Sequence, residues 1–109
     1  MSKRENQAPA PDPLVSAANV HKLVLENERV RVLEAKLKPG DRAAMHSHPD
    51  HVICVVQGGT FRSTLPDGSS TNNVLKAGQA IWRPAYSHSG ANVGTTEILM
   101  LLVELKGKG

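Results

Sequence analysis

The sequence has few of the residues that disulfide scaffolds, membrane spans and aromatic binding surfaces require. Its 109 residues include one cysteine, one phenylalanine, one tyrosine and one tryptophan. The single cysteine, Cys54, excludes an intrachain disulfide framework and agrees with a reducing compartment. No apolar run approaches the ~20 residues of a spanning helix, and the polar, proline-spaced start of the chain has no signal-peptide hydrophobic core. We therefore expect a cytoplasmic protein with no membrane partner.

Positive charge is present, but without the pattern of a nucleic-acid reader. The formal net charge is +3 and the pI is about 9.3. The basic residues are scattered along the chain, and no dense basic run occurs. Three aromatic side chains are also too few for a platform on which bases stack. We expect no nucleic-acid partner.

Turn-forming residues divide the chain in the manner of an all-β protein. Residues 1–13 combine charge with three prolines and predict a flexible N-terminal arm, so we place the folded domain at residues 14–109. Its short apolar or alternating runs are separated by turn signals at intervals of about 8 to 12 residues. No segment repeats its apolar positions with a helical period. A chain of this length then predicts one domain that folds as a sandwich or small barrel.

Nine strands are predicted between these turn signals. They cover residues 20–26, 29–38, 43–48, 51–57, 60–65, 70–76, 79–83, 87–93 and 96–105. The strand at 51–57 is apolar on both faces, with Ile53 and Val55 on one and Val52, Cys54 and Val56 on the other. A half-solvated strand would carry polar residues on one face. Its second face is therefore expected to be covered by the N-terminal segment or by another subunit, and we predict a homodimer.

The chemical feature of the chain is a cluster of histidines. His46 and His48 are one residue apart, so on an extended strand both imidazoles project from the same face. His51 opens the next strand in phase with Ile53, and His88 would have to be brought close by sheet pairing. Neutral imidazoles suit Fe, Zn, Ni, Mn or Cu. The alternative is a solvated loop that happens to be rich in histidine.

The residues around these histidines have a recognisable spacing. GDRAAMHSHPDHVICVVQG runs from Gly40 to Gly58, and GQAIWRPAYSHSGAN runs from Gly78 to Asn92. The pair resembles the two cupin motifs, G(X)5HXH(X)3-4E(X)6G and G(X)5PXG(X)2H(X)3N. The first segment matches both glycines and both histidines, and the second matches the Gly, Pro, His and Asn. The resemblance spans roughly residues 22–105 and implies a single-domain cupin, a jelly-roll β-barrel with a metal in its mouth.

The sequence departs from the cupin motifs at two points. His51 stands at the position of the family's glutamate after a shortened spacer, and Tyr86 replaces the inner glycine of the second motif, which is one residue short before His88. The resemblance implies His46, His48 and His88 as metal ligands, and we predict His51 as a fourth. Four neutral imidazoles would leave a divalent ion at about +2 instead of about +1, a stronger Lewis acid that favours anionic oxygen ligands. If His51 faces solvent, a three-histidine site remains.

Four other residues are candidates for substrate binding. Arg83 and Arg62 could bind a carboxylate if they face the cavity, the alternative being solvated surface arginines. Tyr86 and Gln57 flank the histidines in sequence and could offer a proton or a hydrogen bond.

Three more residues are expected to be structural. Cys54 is out of phase with His51 and is predicted to pack as a small hydrophobe. His21 has no ligand partner nearby in sequence and is predicted to be exposed. Asn92 matches the cupin asparagine, for which the resemblance implies local hydrogen bonding.

Two functions remain open from the sequence. The first is a metal-dependent enzyme, dioxygenase-like or an isomerase or lyase, that acts on a small anionic or chelating organic substrate. The second is a non-catalytic module that binds or senses a metal or a small ligand. A fold does not decide between them, and no catalytic residue is assigned.

Overall fold

Nine strands form two antiparallel β-sheets in the computed structural model, which describes residues 10–107. In chain order the elements are α1 (Pro13–Ser16), β1 (His21–Glu26), β2 (Val30–Leu37), β3 (Arg42–His48), β4 (His51–Gln57), β5 (Gly59–Thr64), β6 (Ser70–Leu75), β7 (Ala80–Arg83), β8 (Tyr86–Asn92) and β9 (Ile98–Leu105). The all-β prediction is confirmed. Every predicted strand is present, with no end displaced by more than two residues.

The strand order brings distant segments together. The first sheet has the order β1-β2-β9-β4-β7 and the second has the order β3-β8-β5-β6. From β3 onward the chain passes repeatedly from one sheet to the other. Strands β3 and β4 therefore lie in opposite sheets, although only Pro49 and Asp50 separate them. The histidines of the two strands consequently approach one another from the two sides of the interior.

The apolar core occupies one end of the interior. Strands β2 and β9 pair in continuous register, with Leu33 opposite Leu102 and Leu37 opposite Ile98, and all four side chains are buried. Burying each such side chain stabilises the fold by about 1.5–3 kcal/mol. Farther along β9 the next inward residue is Glu104. The interior thus changes from apolar near Ile98 to polar at the end that holds the histidines.

An irregularity in β3 turns its histidines inward. The pairing of β3 with β8 shifts register between Ala43 and His46. Ala43, His46 and His48 are all buried, whereas Ala44 is exposed. Strict alternation from Ala43 would place even-numbered residues on the outer face, and an extra residue in the strand reverses that phase. The irregularity therefore allows β3 to contribute both to the apolar core and to the histidine cluster.

The segment before β1 packs against β3. Asp12 caps α1 by accepting a hydrogen bond from Leu14 N, and Pro13 follows at the first helical position. Ser47 donates from its backbone N to Pro11 O and from Oγ to Ala10 O. Residues 10–13, which we assigned to the flexible arm, thus contact the barrel, while the rest of that arm lies outside the described residues. None of the helices in this range is both long and apolar enough to cross a bilayer.

Candidate metal centre

All five histidines of the chain line one cavity between the sheets. The cavity measures about 220 Å³, and none of the five imidazoles is more than 9% exposed. His21 and His51 come from β1 and β4 of the first sheet, whereas His46, His48 and His88 come from β3 and β8 of the second. Burial of all five rings excludes a solvated histidine-rich loop.

Sheet pairing brings His88 to the histidines of β3. His88 is the direct partner of His46 in the β3–β8 ladder, and the two ring centroids are 4.7 Å apart. His48 occupies the middle of the cluster, with ring centroids 4.8 Å from His46, 5.5 Å from His88 and 4.7 Å from His51. The imidazoles of three separate strands therefore meet in one place.

By the separation of their ligand atoms, His21, His46 and His48 form the tightest group. One ligand atom from each of the three lies within 4.8 Å of the other two, and no other trio of His, Cys, Asp or Glu in residues 10–107 meets that spacing. Two nitrogens bonded to one zinc ion at about 2.0–2.1 Å each are at most about 4 Å apart. The observed limit of 4.8 Å is slightly longer than this, and the trio is compatible with a metal site.

The prediction that His21 is exposed is wrong. β1 pairs with β2 so that His21 lies opposite Ala35, an inward-facing residue of the core. Its Nδ1 contacts Ala17 O at 3.0 Å, in the turn that follows α1. The rest of β1 is exposed, so its sequence pattern carries no signal that its first residue faces the interior.

Backbone and carboxylate oxygens fix the tautomer of four of the imidazoles. The acceptors for Nδ1 of His21, His46, His48 and His51 are, in that order, Ala17 O at 3.0 Å, Ala44 O at 2.6 Å, Glu104 Oε2 at 2.6 Å and Pro49 O at 2.7 Å. A carbonyl or carboxylate oxygen can only accept, so Nδ1 of each neutral ring carries the proton. The lone pair is then at Nε2, which is the usual arrangement of a metal-binding histidine.

His88 has a different hydrogen-bonding environment. Its Nδ1 lies 2.8 Å from Ser63 Oγ and 3.3 Å from Tyr86 Oη. Because a hydroxyl can donate or accept, both tautomers of His88 are compatible with these partners. Neither His88 nor His51 belongs to the tightest group, although each is next to one of its members.

Burial keeps the imidazoles neutral. It lowers the pKa of all five histidines, and the neighbouring rings lower it further for His48 and His88, whose pKa falls to about 2. A cluster of buried rings cannot take up several protons without desolvating and opposing like charges. At neutral pH the rings are therefore unprotonated and able to bind a cation.

A buried carboxylate orients His48, and the sequence analysis did not identify it. Glu104 is 2% exposed; its Oε2 accepts from His48, and its Oε1 accepts from Arg31 Nη2 at 2.8 Å and Nε at 3.0 Å. Arg31 Nη2 also lies 2.8 Å from Asp12 Oδ2. Burial raises the pKa of Glu104, and Arg31 opposes that rise. The signal was available, because Glu104 is in phase with Leu102 and Met100, and strand alternation alone places its side chain on the inward face of β9.

Two of the four predicted substrate-binding residues reach the cavity. Arg83 and Tyr86 line it, and the Tyr86 ring stacks on His51 with an interplanar angle of 8°. Arg62 and Gln57 do not line it, so neither is placed to bind a substrate there. Arg62 lies on the outer face of the second sheet, where its Nε donates to Asn72 Oδ1, because its neighbours Phe61 and Ser63 take the inward positions. Gln57 is exposed at the end of β4.

The remaining predicted residues have structural surroundings. Cys54 is half-buried and pairs with Leu101 of β9 and Ala80 of β7, in the opposite phase from His51. Asn92 is 1% exposed and donates from Nδ2 to Leu37 O and Thr96 O. Both environments agree with packing and local hydrogen bonding.

Several solved structures share this fold. A cupin domain from Bordetella pertussis Tohama I is 27% identical with a TM-score of 0.75, over 93% of this chain and 100% of that chain. A conserved protein with a double-stranded β-helix domain from Klebsiella pneumoniae is 25% identical with a TM-score of 0.65, over 100% of this chain and 85% of that one. An RmlC-like cupin family protein from Methanocaldococcus jannaschii is 19% identical with a TM-score of 0.63, over 79% and 78% of the two chains. No protein-family model and no curated protein matches the sequence. Strand order and these likenesses together show that the chain has the small cupin fold, a double-stranded β-helix.

Proposed function

We propose that the histidine cluster holds one divalent transition metal and that the bound metal serves a reaction on a small organic substrate. The observation that supports this most strongly is the fixed tautomer of four imidazoles whose rings line a single cavity. A set of Nε2 lone pairs with their Nδ1–H groups already hydrogen-bonded is prepared for metal binding. These hydrogen bonds offset part of the desolvation cost of burying the rings and leave the Nε2 lone pairs for a cation.

His46 and His48 are the core of the proposed ligand set. They belong both to the observed trio and to the cupin motif. His88 completes the set that the motif implies, and His21 completes the set with the closest spacing. His51, next to His48, is the proposed fourth ligand of the motif-based set. Measuring the metal affinity of single alanine variants at all five positions separates these sets. Only the replacement of a true ligand should lower the affinity strongly.

The surrounding residues favour activation of the substrate by the metal over general-base catalysis by a carboxylate. When bound, the metal would supply Lewis-acid polarisation or, if it is iron or copper, access to dioxygen chemistry. Neither Asp nor Glu is among the residues that line the cavity, and Asp50 in the adjacent turn instead accepts from Ala85 N. Tyr86 Oη is the group placed to hold or donate a proton beside His88. Dioxygenase-like, isomerase and lyase reactions all fit this arrangement.

The alternative function is a module that binds a metal or small ligand without turnover. Metal analysis of protein purified without a polyhistidine tag tests the metal itself. Oxygen-uptake assays of iron-loaded protein with diketones, thiols and catechol-like acids, together with substrate-consumption assays of the zinc, nickel and manganese forms, then test catalysis. Turnover that is lost in His88→Ala supports the enzyme. Tight ligand binding with no turnover under any metal supports the binding module.

We also propose that two copies pair through the outer face of the first sheet. On this face Val103 lies beside Val52, and Val52 lies beside Trp82, which is 53% exposed. The described N-terminal residues pack against β3 of the other sheet and leave this face uncovered. A contiguous apolar sheet face of this kind is typical of subunit interfaces.

A further inference from the structure

The cavity contains a cationic group that is separate from the imidazoles. Arg83 lines it and is half-buried, and its guanidinium donates to the adjacent Trp82 O at 3.3 Å. The ion pairs formed within residues 10–107 involve other side chains, so no carboxylate neutralises Arg83 there. A half-buried guanidinium that faces a cavity without an acidic partner is suited to bind an anion from solution.

Arg83 is held next to two polar rings. It is the direct partner of His51 in the β4–β7 ladder. His51 in turn stacks on Tyr86, with the ring centroids 5.9 Å apart. One anion can therefore meet the guanidinium while the same molecule extends toward the imidazoles.

The remaining lining is largely apolar. Phe61, Leu75, Ile81 and Met100 all face the cavity. The Phe61 ring sits directly over Gly90, because a Cβ built on Gly90 would lie 2.2 Å from Phe61 Cζ. Because Gly90 has no side chain, the Phe61 ring can pack against its backbone. The Phe61 and His88 ring centroids are then 6.2 Å apart. An apolar wall therefore adjoins the histidine cluster.

We propose that this cavity takes a small monocarboxylate with an apolar body, whose carboxylate binds Arg83 and whose body packs against Phe61 and Ile81. The inference rests on the proposed metal function, since it names the substrate class of that site. Arg83 is the one Lys or Arg side chain among the residues that line the cavity, which favours a single negative charge over a phosphate dianion. A volume of about 220 Å³ is below the roughly 300–1,000 Å³ of drug-sized sites, so the ligand is small.

The test compares hexanoate with hexanamide, which has almost the same shape and no charge. Binding is followed by methyl NMR, because Met100 lines the cavity whereas Met45 does not. The protein is measured as purified and again after metal removal. We expect hexanoate to shift the Met100 signal in both states, to bind about tenfold or more tightly than hexanamide, and to bind about fourfold more tightly than pentanoate for the added buried methylene.

Arg83→Gln is the decisive variant, with Arg62→Gln as a matched control outside the cavity. We expect Arg83→Gln to weaken hexanoate binding about tenfold or more and to leave hexanamide unchanged. Arg62→Gln should change neither. Arg83→Lys keeps the positive charge but lacks the planar guanidinium, so it should recover part of the hexanoate affinity. That recovery would show that the loss in Arg83→Gln is not caused by misfolding.

The inference would be overturned by equal affinity of the wild type for hexanoate and hexanamide, or by hexanoate binding that Arg83→Gln does not weaken. Hexanoate that binds only to metal-loaded protein would also overturn it, because the carboxylate would then be on the metal. Metal affinity measured on the same samples tells the two proposals apart. If the protein binds no metal but binds hexanoate in an Arg83-dependent way, the metal function is refuted and the carboxylate site is supported.

Discussion

Acid should destabilise the metal-free protein well before ordinary acid denaturation begins. Burial lowers the pKa of His48 and His88 to about 2, whereas a histidine in the unfolded chain titrates near 6.5. Below that pH the unfolded state binds protons that the folded state cannot take up. Stability is therefore complete above pH ~6.5 and falls as the pH decreases, by about 1.4 kcal/mol per pH unit for each such histidine.

From pH 6.5 to 5.0 the two rings together remove about 3 kcal/mol of the free energy of unfolding. His21, His46 and His51 have pKa values lowered in the same direction and add to the loss. Glu104 opposes it, because burial raises its pKa and the folded state then gains by taking up a proton. One carboxyl offsets only part of the effect of five histidines. The net loss is large beside a typical domain stability of about 5–15 kcal/mol.

The assay is urea denaturation of chelator-treated protein, followed by circular dichroism at half-unit steps from pH 5 to pH 8. Replacing His88 by Gln removes one titrating group, so the slope contributed by the two rings should fall from about 2.7 to about 1.4 kcal/mol per pH unit. A free energy of unfolding that stays constant between pH 5 and pH 7 would refute the reasoning. It would mean that the rings are protonated or hydrated in the folded state.

Three further predictions follow from the same structure. Glu104→Gln removes the anionic acceptor of His48 and should weaken metal binding about 10–100-fold by competition titration; unchanged affinity would mean that this carboxylate does not support a ligand. Val103→Glu should convert the proposed dimer to a monomer in sedimentation velocity, and a wild type that is monomeric at all concentrations would exclude the proposed interface. Leu33→Ala, at a core position that is 0% exposed, should lower the free energy of unfolding by about 2–5 kcal/mol in denaturant titration; a smaller loss would mean that the core relaxes around the cavity.

Local sequence pattern was enough to predict the strands and part of the site. Turn residues and short apolar runs located every strand, because strand ends depend mainly on nearby residues. The one-residue spacing of His46 and His48 placed their rings on a common face. His88 could be added only through the cupin resemblance, since the β3–β8 pairing that aligns it with His46 joins segments far apart in the chain.

The parts that failed depended on long-range pairing and on the phase of side chains. His21 faces the interior because β1 pairs with β2 opposite Ala35, and nothing in the sequence near His21 reports that pairing. Arg62 was a candidate only if it faced the cavity, and the strand alternation that places Phe61 and Ser63 inward sends it outward. Glu104 was missed although its phase on β9 was visible. An acidic residue in phase with the inward apolar positions of a strand therefore indicates a buried carboxylate that needs a partner.

Anomalous diffraction at the zinc edge, from crystals of the tag-free protein grown with one equivalent of zinc, tests the proposed metal centre most directly. We predict one strong peak inside the barrel, bonded at about 2.0–2.1 Å to Nε2 of His46 and His48, with His21 or His88 as the third ligand. A barrel interior without a peak, or an ion bound only at the protein surface, would contradict the proposal that these imidazoles hold a metal.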